Sequence, residues 1–104
     1  MSRRQTDFGH EVVTETEKKL KRPPLYKVLL HNDDYTTKEF VVQILQHVFN
    51  KEHTEAAQIM LHIHRSGIGV VGVYPYELAE TKVKLVESLA RQYECPLKCT
   101  MEEE

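Results

Sequence analysis

The sequence predicts a two-layer α/β sandwich in which three amphipathic helices pack on one face of a small three-stranded antiparallel sheet. Three observations support this prediction. Apolar residues recur at helical spacing in three segments, short runs rich in β-branched residues alternate with them, and turn-forming residues separate the elements. The resulting order is β-α-α-β-α-β. The chain has 104 residues, enough for one domain with a modest core.

The first 24 residues of the chain differ in composition from the remainder. Their charged residues begin at Arg3 and continue to Arg22 without a regular apolar pattern. Such a segment has too little apolar surface to form a packed core, so we expect residues 1–24 to be a disordered N-terminal extension. Pro23 and Pro24 restrict the backbone and mark the boundary, which leaves residues 25–104 as the folded core domain.

The first predicted strand and the first predicted helix are joined by a polar turn. Residues 25–31 alternate loosely and predict a strand, and the Asn-Asp-Asp run at 32–34 favours a turn after it. Thr36 is expected to cap the following helix, since Glu39 stands three residues later and completes a capping box. The apolar positions of this helix are Val41, Ile44, Leu45 and Val48, flanked by Phe40 and Phe49.

Two further helices and two further strands complete the order. Thr54 is expected to cap the second helix, and Gly67 to end it. Residues 68–74 predict a strand because they are rich in β-branched residues. Pro75 suits the first turn of a third helix, Pro96 breaks that helix, and residues 97–101 form the last strand. The apolar positions are Ala56, Ile59, Met60 and Ile63 in the second helix, and Ala79, Val83, Val86 and Ala90, widened by Leu78, Leu85, Leu89 and Tyr93, in the third.

Composition argues against several classes of function. The formal net charge is −2, so no basic field favours nucleic acid. No apolar run approaches the ~18–20 residues needed to cross a bilayer, so we expect no membrane segment. Two cysteines, Cys95 and Cys99, do not suggest a disulfide scaffold in a chain with its own apolar core. We interpret them as small packing residues on one face of a strand, in a reducing cytoplasm.

A cluster of hydrogen-bond acceptors lies at the predicted strand-to-helix turn. Asn32, Asp33 and Asp34 stand between an apolar run and an amphipathic helix, and His64 is expected to join them from the end of the second helix. These acceptors suit a cationic amine attached to a hydrophobic side chain, because an ammonium group has three donors and one charge. The same run also forms an ordinary turn, and the apolar residues near His64 also suit ordinary core packing.

Metal binding and known catalytic motifs find less support in the pattern. His62 and His64 are two residues apart, so they point in roughly opposite directions on a helix and cannot both bind one ion. No set of three or four ligands has a recognised metal spacing, and we expect neither a metal nor another cofactor. The chain has no Gly-x-Ser-x-Gly elbow, phosphate loop or dinucleotide fingerprint.

Several separated motifs occur in a consistent order along residues 24–102. They are the run from Tyr26 to Thr36, Glu39-Phe40-Val41, the run from Ala57 to His64, Gly72-Val73-Tyr74 with Glu77 and the run from Ala79 to Lys82, and the run from Pro96 to Thr100. Together these motifs resemble the ClpS adaptors of bacterial Clp proteases. The resemblance covers nearly the whole folded part, and it implies a fold similar to the C-terminal domain of the ribosomal stalk protein.

The resemblance implies an adaptor that is not an enzyme. ClpS adaptors deliver N-degron substrates, which begin with Leu, Phe, Tyr or Trp and carry a free α-amino group, to the Clp AAA+ unfoldase and its peptidase. By position, Asn32, Asp34 and His64 correspond to the residues that hold the amino group, and Asp33 would supply nearby negative charge. The positions that correspond to the side-chain pocket are Thr36, Val41, Met60, Ile63 and Leu97.

The resemblance also implies a docking surface and a handover segment. Glu77, Glu80 and Lys82 correspond to the surface that binds the N-terminal domain of the unfoldase. Residues 1–24 correspond to the flexible arm that the unfoldase engages during handover.

Two positions depart from the family pattern. Lys38 stands at the pocket rim where many members have a methionine, and its stem is expected to cover the pocket while its charge stays in water. His31 stands where members usually have an apolar residue, and it is expected to make recognition mildly pH-dependent.

Two other classes of function remain open from the residues alone. One is a small metal-dependent or acid/base enzyme that uses Asp33, Asp34 and His64. The other is a ribosome-associated interaction module, which only the fold suggests. A peptide that begins with a free Leu or Phe separates these classes from an adaptor, because an adaptor binds it and does not bind its N-acetylated form.

Overall fold

The computed structural model describes residues 23–104, and six elements lie in this part of the chain. In chain order they are β1 (Leu25–His31), α1 (Lys38–His47), α2 (His53–Ser66), β2 (Ile68–Pro75), α3 (Tyr76–Gln92) and β3 (Lys98–Glu103). The predicted order β-α-α-β-α-β is confirmed. The predicted N-terminal extension lies outside the described residues, except for Pro23 and Pro24.

The three strands form an antiparallel sheet, as predicted, with β1 in the centre and the order β2-β1-β3. The register between β1 and β2 shifts after Val28. Val28 pairs with Gly72 but the next residue of β1 pairs with Val70, so Val71 is the additional residue of a bulge. Val71 is nevertheless buried in the core. The bulge therefore bends β2 without removing an apolar side chain from the packing.

The core lies between the helices and one face of the sheet. Because side chains alternate along a strand, Val28 and Leu30 of β1 both face the helices, and both are fully buried. Full burial of such a side chain stabilises the fold by about 1.5–3 kcal/mol. On the other face of the sheet, Leu29 of β1 is buried, and the exposed side chains of β2 are Ile68, Val70 and Val73. The other core residues are Val41, Val42, Ile44, Leu45, Val48, Phe49, Ala56, Ile63, Val71, Ala79, Val86, Ala90, Leu97 and Cys99.

The predicted cap of the first helix is wrong by one residue. α1 begins after Thr37, and the Thr37 hydroxyl oxygen accepts a hydrogen bond from the Phe40 amide at 3.1 Å. Thr36 does not cap the helix because its own hydroxyl donates to the Asp33 carboxylate at 3.1 Å. The two adjacent threonines thus have different roles: Thr37 caps the helix, and Thr36 stabilises the turn before it. The capping box with Glu39 is not formed.

The starts of the other two helices also differ from the prediction. α2 begins at His53, so Thr54 lies inside its first turn and not at its cap. α3 begins at Tyr76, and Pro75 precedes it as the last residue of β2. Proline has no amide hydrogen to donate, so it suits this junction between a strand and a helix. α3 ends at Gln92, several residues before Pro96.

Two glycines are required where α2 meets β2. Gly67 ends α2 with φ of +87°, in the left-handed region that glycine adopts without strain, as predicted. Gly69 allows β2 to pass close to the helix. A β-carbon at position 69 would lie 2.7 Å from Cγ1 of Ile63, which is closer than packed carbon atoms approach. The absence of a side chain at Gly69 therefore sets how closely α2 packs against the sheet.

Both cysteines carry free thiols. Cys99 is a core residue of β3, and burial together with the nearby Glu87 carboxylate raises the pKa of its thiol to about 12. Such a thiol stays protonated and unreactive at neutral pH, which fits the predicted packing role. Cys95 is only half-buried and precedes β3, so the two cysteines do not share one face of a strand.

Candidate functional site

The end of β1 is held beside the end of α2 by a backbone hydrogen bond. The amide of Asn32 donates to the carbonyl oxygen of Gly67 at 2.8 Å. His64 lies in the last turn of α2, three residues before that carbonyl group. The polar loop after β1 and the imidazole of His64 are therefore brought to the same edge of the domain, as the sequence predicted for Asn32, Asp33, Asp34 and His64.

A surface cavity of about 350 Å³ opens between this loop, α1 and α2. Nine of the predicted site residues line it, and the loop residues stand at its polar side. The full lining consists of His31, Asn32, Asp33, Asp34, Thr36, Thr37, Lys38, Glu39, Val41, Met60, Ile63 and His64. Thr37 and Glu39 are the members that sequence reasoning did not assign to the site. Their positions at the loop-to-helix junction were the available signal.

Leu97 does not line this cavity, although the resemblance placed it in the side-chain pocket. Its side chain is buried in the core, and it contributes to a separate open hollow beside Cys95 and Pro96. Leu97 is therefore the one predicted pocket residue that is not among the residues lining this cavity.

The apolar wall of the cavity comes from two helices. Val41 of α1 and Ile63 of α2 are buried, and Met60 is half-buried one turn before Ile63. Residues three and four apart share a helix face, so Met60, Ile63 and His64 form a continuous surface of α2. Methionine is flexible and polarisable, so it adapts to apolar groups of different shape. The wall can therefore accommodate a bulky apolar side chain.

The Asp33 side chain stabilises the loop through hydrogen bonds. One of its carboxylate oxygens accepts hydrogen bonds from the Tyr35 amide at 2.8 Å and from the Thr36 hydroxyl at 3.1 Å. The Thr36 amide also donates to the Asp33 carbonyl oxygen at 3.2 Å. This is the local side-chain-to-backbone bonding that aspartate provides in turns. Asp33 therefore orders the rim, and only part of its carboxylate remains for a ligand.

The other polar groups of the rim are available. Asn32, Asp34 and His64 are exposed, and no hydrogen bond or ion pair within residues 23–104 engages their side chains. An amide oxygen, a carboxylate and a neutral imidazole nitrogen all accept hydrogen bonds. The rim thus presents several acceptors with negative charge next to an apolar wall.

Lys38 and His31 occupy different positions relative to the cavity. Lys38 is exposed and lines the cavity at the first turn of α1. His31 also contributes to the lining, but its ring is directed to β3, with Nε2 2.7 Å from the Thr100 hydroxyl oxygen. Burial and the nearby Lys98 ammonium lower the pKa of His31 below its ordinary value of 6.5. The imidazole is therefore mainly neutral at pH 7, and any pH effect from it falls on the acidic side of 6.5.

The three residues implied in docking are placed very differently on α3. Glu77 is exposed, and Glu80 lies 3.9 Å from the Lys84 ammonium. The Lys82 ammonium instead donates to the carbonyl oxygen of Val48, just after α1, at 2.6 Å. It also lies over the aromatic rings of Phe49 and Tyr74, 5.9 and 5.5 Å from their centroids. Lys82 therefore links α3 to the end of α1 and presents little charge outward.

Two further observations concern the described residues only. Within residues 23–104, no three His, Cys, Asp or Glu side chains are grouped closely enough to hold a metal ion. Over the same range, no helix is both long and apolar enough to cross a membrane.

The fold and the cavity define a class of small α/β binding domains in which an apolar pocket is bordered by hydrogen-bond acceptors. Comparison with known proteins makes this specific, because residues 21–100 match the family model of the ATP-dependent Clp protease adaptor protein ClpS. The chain belongs to the ClpS family, and its function is that of a Clp protease adaptor. The resemblance stated from the sequence is thereby confirmed.

Individual relatives agree with this assignment. The ClpS adaptor of Myxococcus xanthus is 58% identical over 95 residues, which cover 89% of each chain. The adaptor of Parvibaculum lavamentivorans is 56% identical over 96 residues, which cover 92% of this chain and 87% of the relative. Among solved structures, Agrobacterium tumefaciens ClpS2 bound to L-phenylalaninamide is similar with a TM-score of 0.77 and 43% identity. That match covers 80% of this chain and all of the other. It supports the observed fold.

Proposed function

We propose that this adaptor binds the free α-amino group and the bulky apolar side chain of N-degron substrates that begin with Leu, Phe, Tyr or Trp. It then delivers them to the Clp AAA+ unfoldase, through the N-terminal domain of the unfoldase, for degradation by the peptidase. The proposed place of action is the cytoplasm, where free thiols such as those of Cys95 and Cys99 persist.

One observation carries the proposal: among residues 23–104, no other group engages the side chains of Asn32, Asp34 and His64, which are acceptors at the rim of the cavity. A protonated α-amino group has three donors and one positive charge, so three acceptors would satisfy it. Hydrogen bonds between charged partners are shorter and stronger than neutral ones. The side chain of the same residue would enter the space beside Val41 and Met60. The geometry thus fits an amine and an apolar group that are joined by one carbon atom.

The structural relative gives independent support. Agrobacterium tumefaciens ClpS2 was solved with L-phenylalaninamide, whose α-carbon carries both a free amino group and a benzyl side chain. The acid/base alternative loses support from the loop, because Asp33 is already bonded to Tyr35 and Thr36. No observation on the described residues specifically favours a ribosome-associated interaction module.

The decisive experiment compares two forms of one peptide. A fluorescent peptide that begins with a free Phe is expected to bind, as measured by anisotropy, and its N-acetylated form is not. Acetylation removes the charge and leaves a single amide donor, while the phenyl ring stays the same. Equal affinity for the two forms would show that the residues at the rim do not bind the free amino group.

Lys38 is expected to relax the shape selection of the cavity. Its flexible, solvated stem excludes a branched β-carbon less strictly than a packed methionine would. A methyl shift in an apolar pocket changes affinity by only ~1–3 kcal/mol, so the effect of residue 38 should be a fraction of that. Wild type should therefore discriminate N-terminal Leu from Ile and Val less sharply than Lys38→Met. Equal Leu-to-Ile affinity ratios in the two proteins would show that residue 38 is not a gate.

A further inference from the structure

One lysine belongs to the lining of the proposed substrate cavity. Among the described residues that form this lining, Lys38 is the one lysine or arginine, whereas Asp33, Asp34 and Glu39 contribute carboxylates. Lys38 is exposed, and it stands in the first turn of α1, directly after the Thr37 cap. The cavity therefore has a single ammonium group at a border that is otherwise acidic.

The Lys38 ammonium has no partner within the described part of the chain. No hydrogen bond or ion pair of residues 23–104 engages it. The residues three and four positions later in α1 are both valine, so the helix itself offers no carboxylate to this group. Lys84 of α3 differs, because its ammonium lies 3.9 Å from the Glu80 carboxylate. The charge of Lys38 is thus available to a bound ligand.

The second residue of a substrate would pass close to this ammonium group. In the proposed complex, the α-carbon of the first residue directs its amino group to the acceptors and its side chain to the apolar wall. Its carbonyl group must then lead the main chain out of the cavity, and the second α-carbon follows about 3.8 Å from the first. Beyond the acceptors, the polar border consists of Thr36, Thr37, Lys38 and Glu39. The long, flexible stem of a lysine lets its ammonium reach a side chain that leaves across this border.

The charges at this border determine which second residue Lys38 favours. In the proposed complex the substrate ammonium offsets Asp34, and Asp33 is bonded within its loop, so Glu39 is the main carboxylate left to repel an acidic side chain. The Lys38 ammonium attracts the same side chain. A glutamine of the same shape carries no charge and experiences neither effect to a comparable degree. An acidic second residue is therefore disfavoured at this border without Lys38, and it gains an ion-pairing partner with Lys38.

We propose that Lys38 determines specificity for the second residue of the substrate, where it favours glutamate or aspartate. Its ammonium pairs with that carboxylate while the first residue occupies the cavity. The inference rests on the proposed function, because it requires the amino group and the side chain of the first residue to be bound as described there. It is distinct from the effect of Lys38 on branched first residues, because it depends on the charge of the lysine and not on the shape of its stem.

The test compares two fluorescent peptides that begin with Phe-Glu and Phe-Gln and are otherwise identical. The preference for the Phe-Glu peptide over the Phe-Gln peptide is expected to be about two- to fivefold greater in wild type than in Lys38→Gln, as for other exposed ion pairs. Taking the ratio of the two affinities cancels any effect of the altered stem on the pocket. Lys38→Arg should keep the wild-type ratio because it keeps the charge, and Lys38→Glu should lower the ratio below that of Lys38→Gln. Added salt should reduce these differences.

Lys84→Gln is the matched control. It removes the same charge from an exposed lysine that does not line the cavity, so its ratio of the two affinities should equal that of wild type. Equal ratios in wild type and Lys38→Gln, or the same shift in Lys84→Gln, would overturn the inference. So would an equal loss of affinity for both peptides in Lys38→Gln, because Lys38 would then only cover the pocket. Failure of wild type to bind either peptide would instead overturn the proposed function, on which the inference rests.

Discussion

Replacing His64 with alanine is expected to weaken binding of a peptide that begins with Phe by at least about tenfold, which is ~1.4 kcal/mol. The same result is expected for Asp34→Ala. Both side chains line the cavity, and neither is engaged by other groups of the described chain. Loss of one partner of a desolvated, charged hydrogen bond typically costs ~2–5 kcal/mol, much of it because the other partner stays unpaired. Fluorescence anisotropy of the labelled peptide gives both affinities directly.

His62→Ala supplies the control for this experiment. His62 is an exposed imidazole two residues from His64 on the same helix, and it does not line the cavity. Its removal should leave the peptide affinity near wild type. Asp33→Ala tests a different role, because the Asp33 carboxylate accepts a hydrogen bond from the Tyr35 amide. Any loss of peptide affinity in this variant should be accompanied by faster hydrogen exchange at the Tyr35 amide, which would show that the loop itself has changed. Intact peptide affinity in both His64→Ala and Asp34→Ala would rule out this site.

Removing residues 1–20 is expected to abolish delivery while leaving peptide affinity near wild type. The cavity walls come from residues between His31 and His64, so the truncation keeps every lining group. We propose that the N-terminal segment is the part that the unfoldase engages. As an unstructured coil, ~24 residues would have an r.m.s. reach of roughly 25–30 Å, long enough to extend beyond the folded domain. Degradation of an N-degron reporter and peptide anisotropy, measured on the same preparation, separate the two activities.

A second variant distinguishes the sequence of the segment from its length. Replacing residues 1–20 with a Gly/Ser run of equal length keeps the reach and removes the native side chains. Restored delivery in this variant would mean that the unfoldase needs only an extended chain. Normal delivery by the truncated protein would reduce the segment to a linker and contradict the proposal.

Sequence periodicity predicted the elements of the fold because most of them are amphipathic enough to have one buried face. Ala56 and Ile63 in α2, and Ala79, Val86 and Ala90 in α3, were expected in the core and are buried there. The first residue of a helix was harder to predict, because two neighbouring residues can both have a side chain that is able to cap it. Thr36 and Thr37 both carry a hydroxyl group, and only the hydrogen bond from Thr36 to Asp33 decides which of them is the cap.

The site was predictable where its residues are close in sequence and less so where it depends on distant packing. Asn32, Asp33 and Asp34 share one turn, so their proximity followed from the chain alone. Leu97 is buried and is not among the residues that line the cavity, because the packing of the segment before β3 decides where its side chain lies. The bond from Lys82 to the Val48 carbonyl oxygen joins residues 34 positions apart, and a local pattern cannot show such a contact.

The close approach between Gly69 and Ile63 means that a residue outside the cavity lining can influence which ligands the cavity would accept under the proposed function. A methyl group at position 69 would collide with the Ile63 side chain, which also forms part of the apolar wall of the cavity. The Ile63 side chain would have to move, and because it lines the cavity, its movement would change the shape of the cavity. The size of group that fits can therefore change through a residue that no ligand touches. Evolution or engineering could narrow the pocket in this way while every acceptor on its rim stays in place.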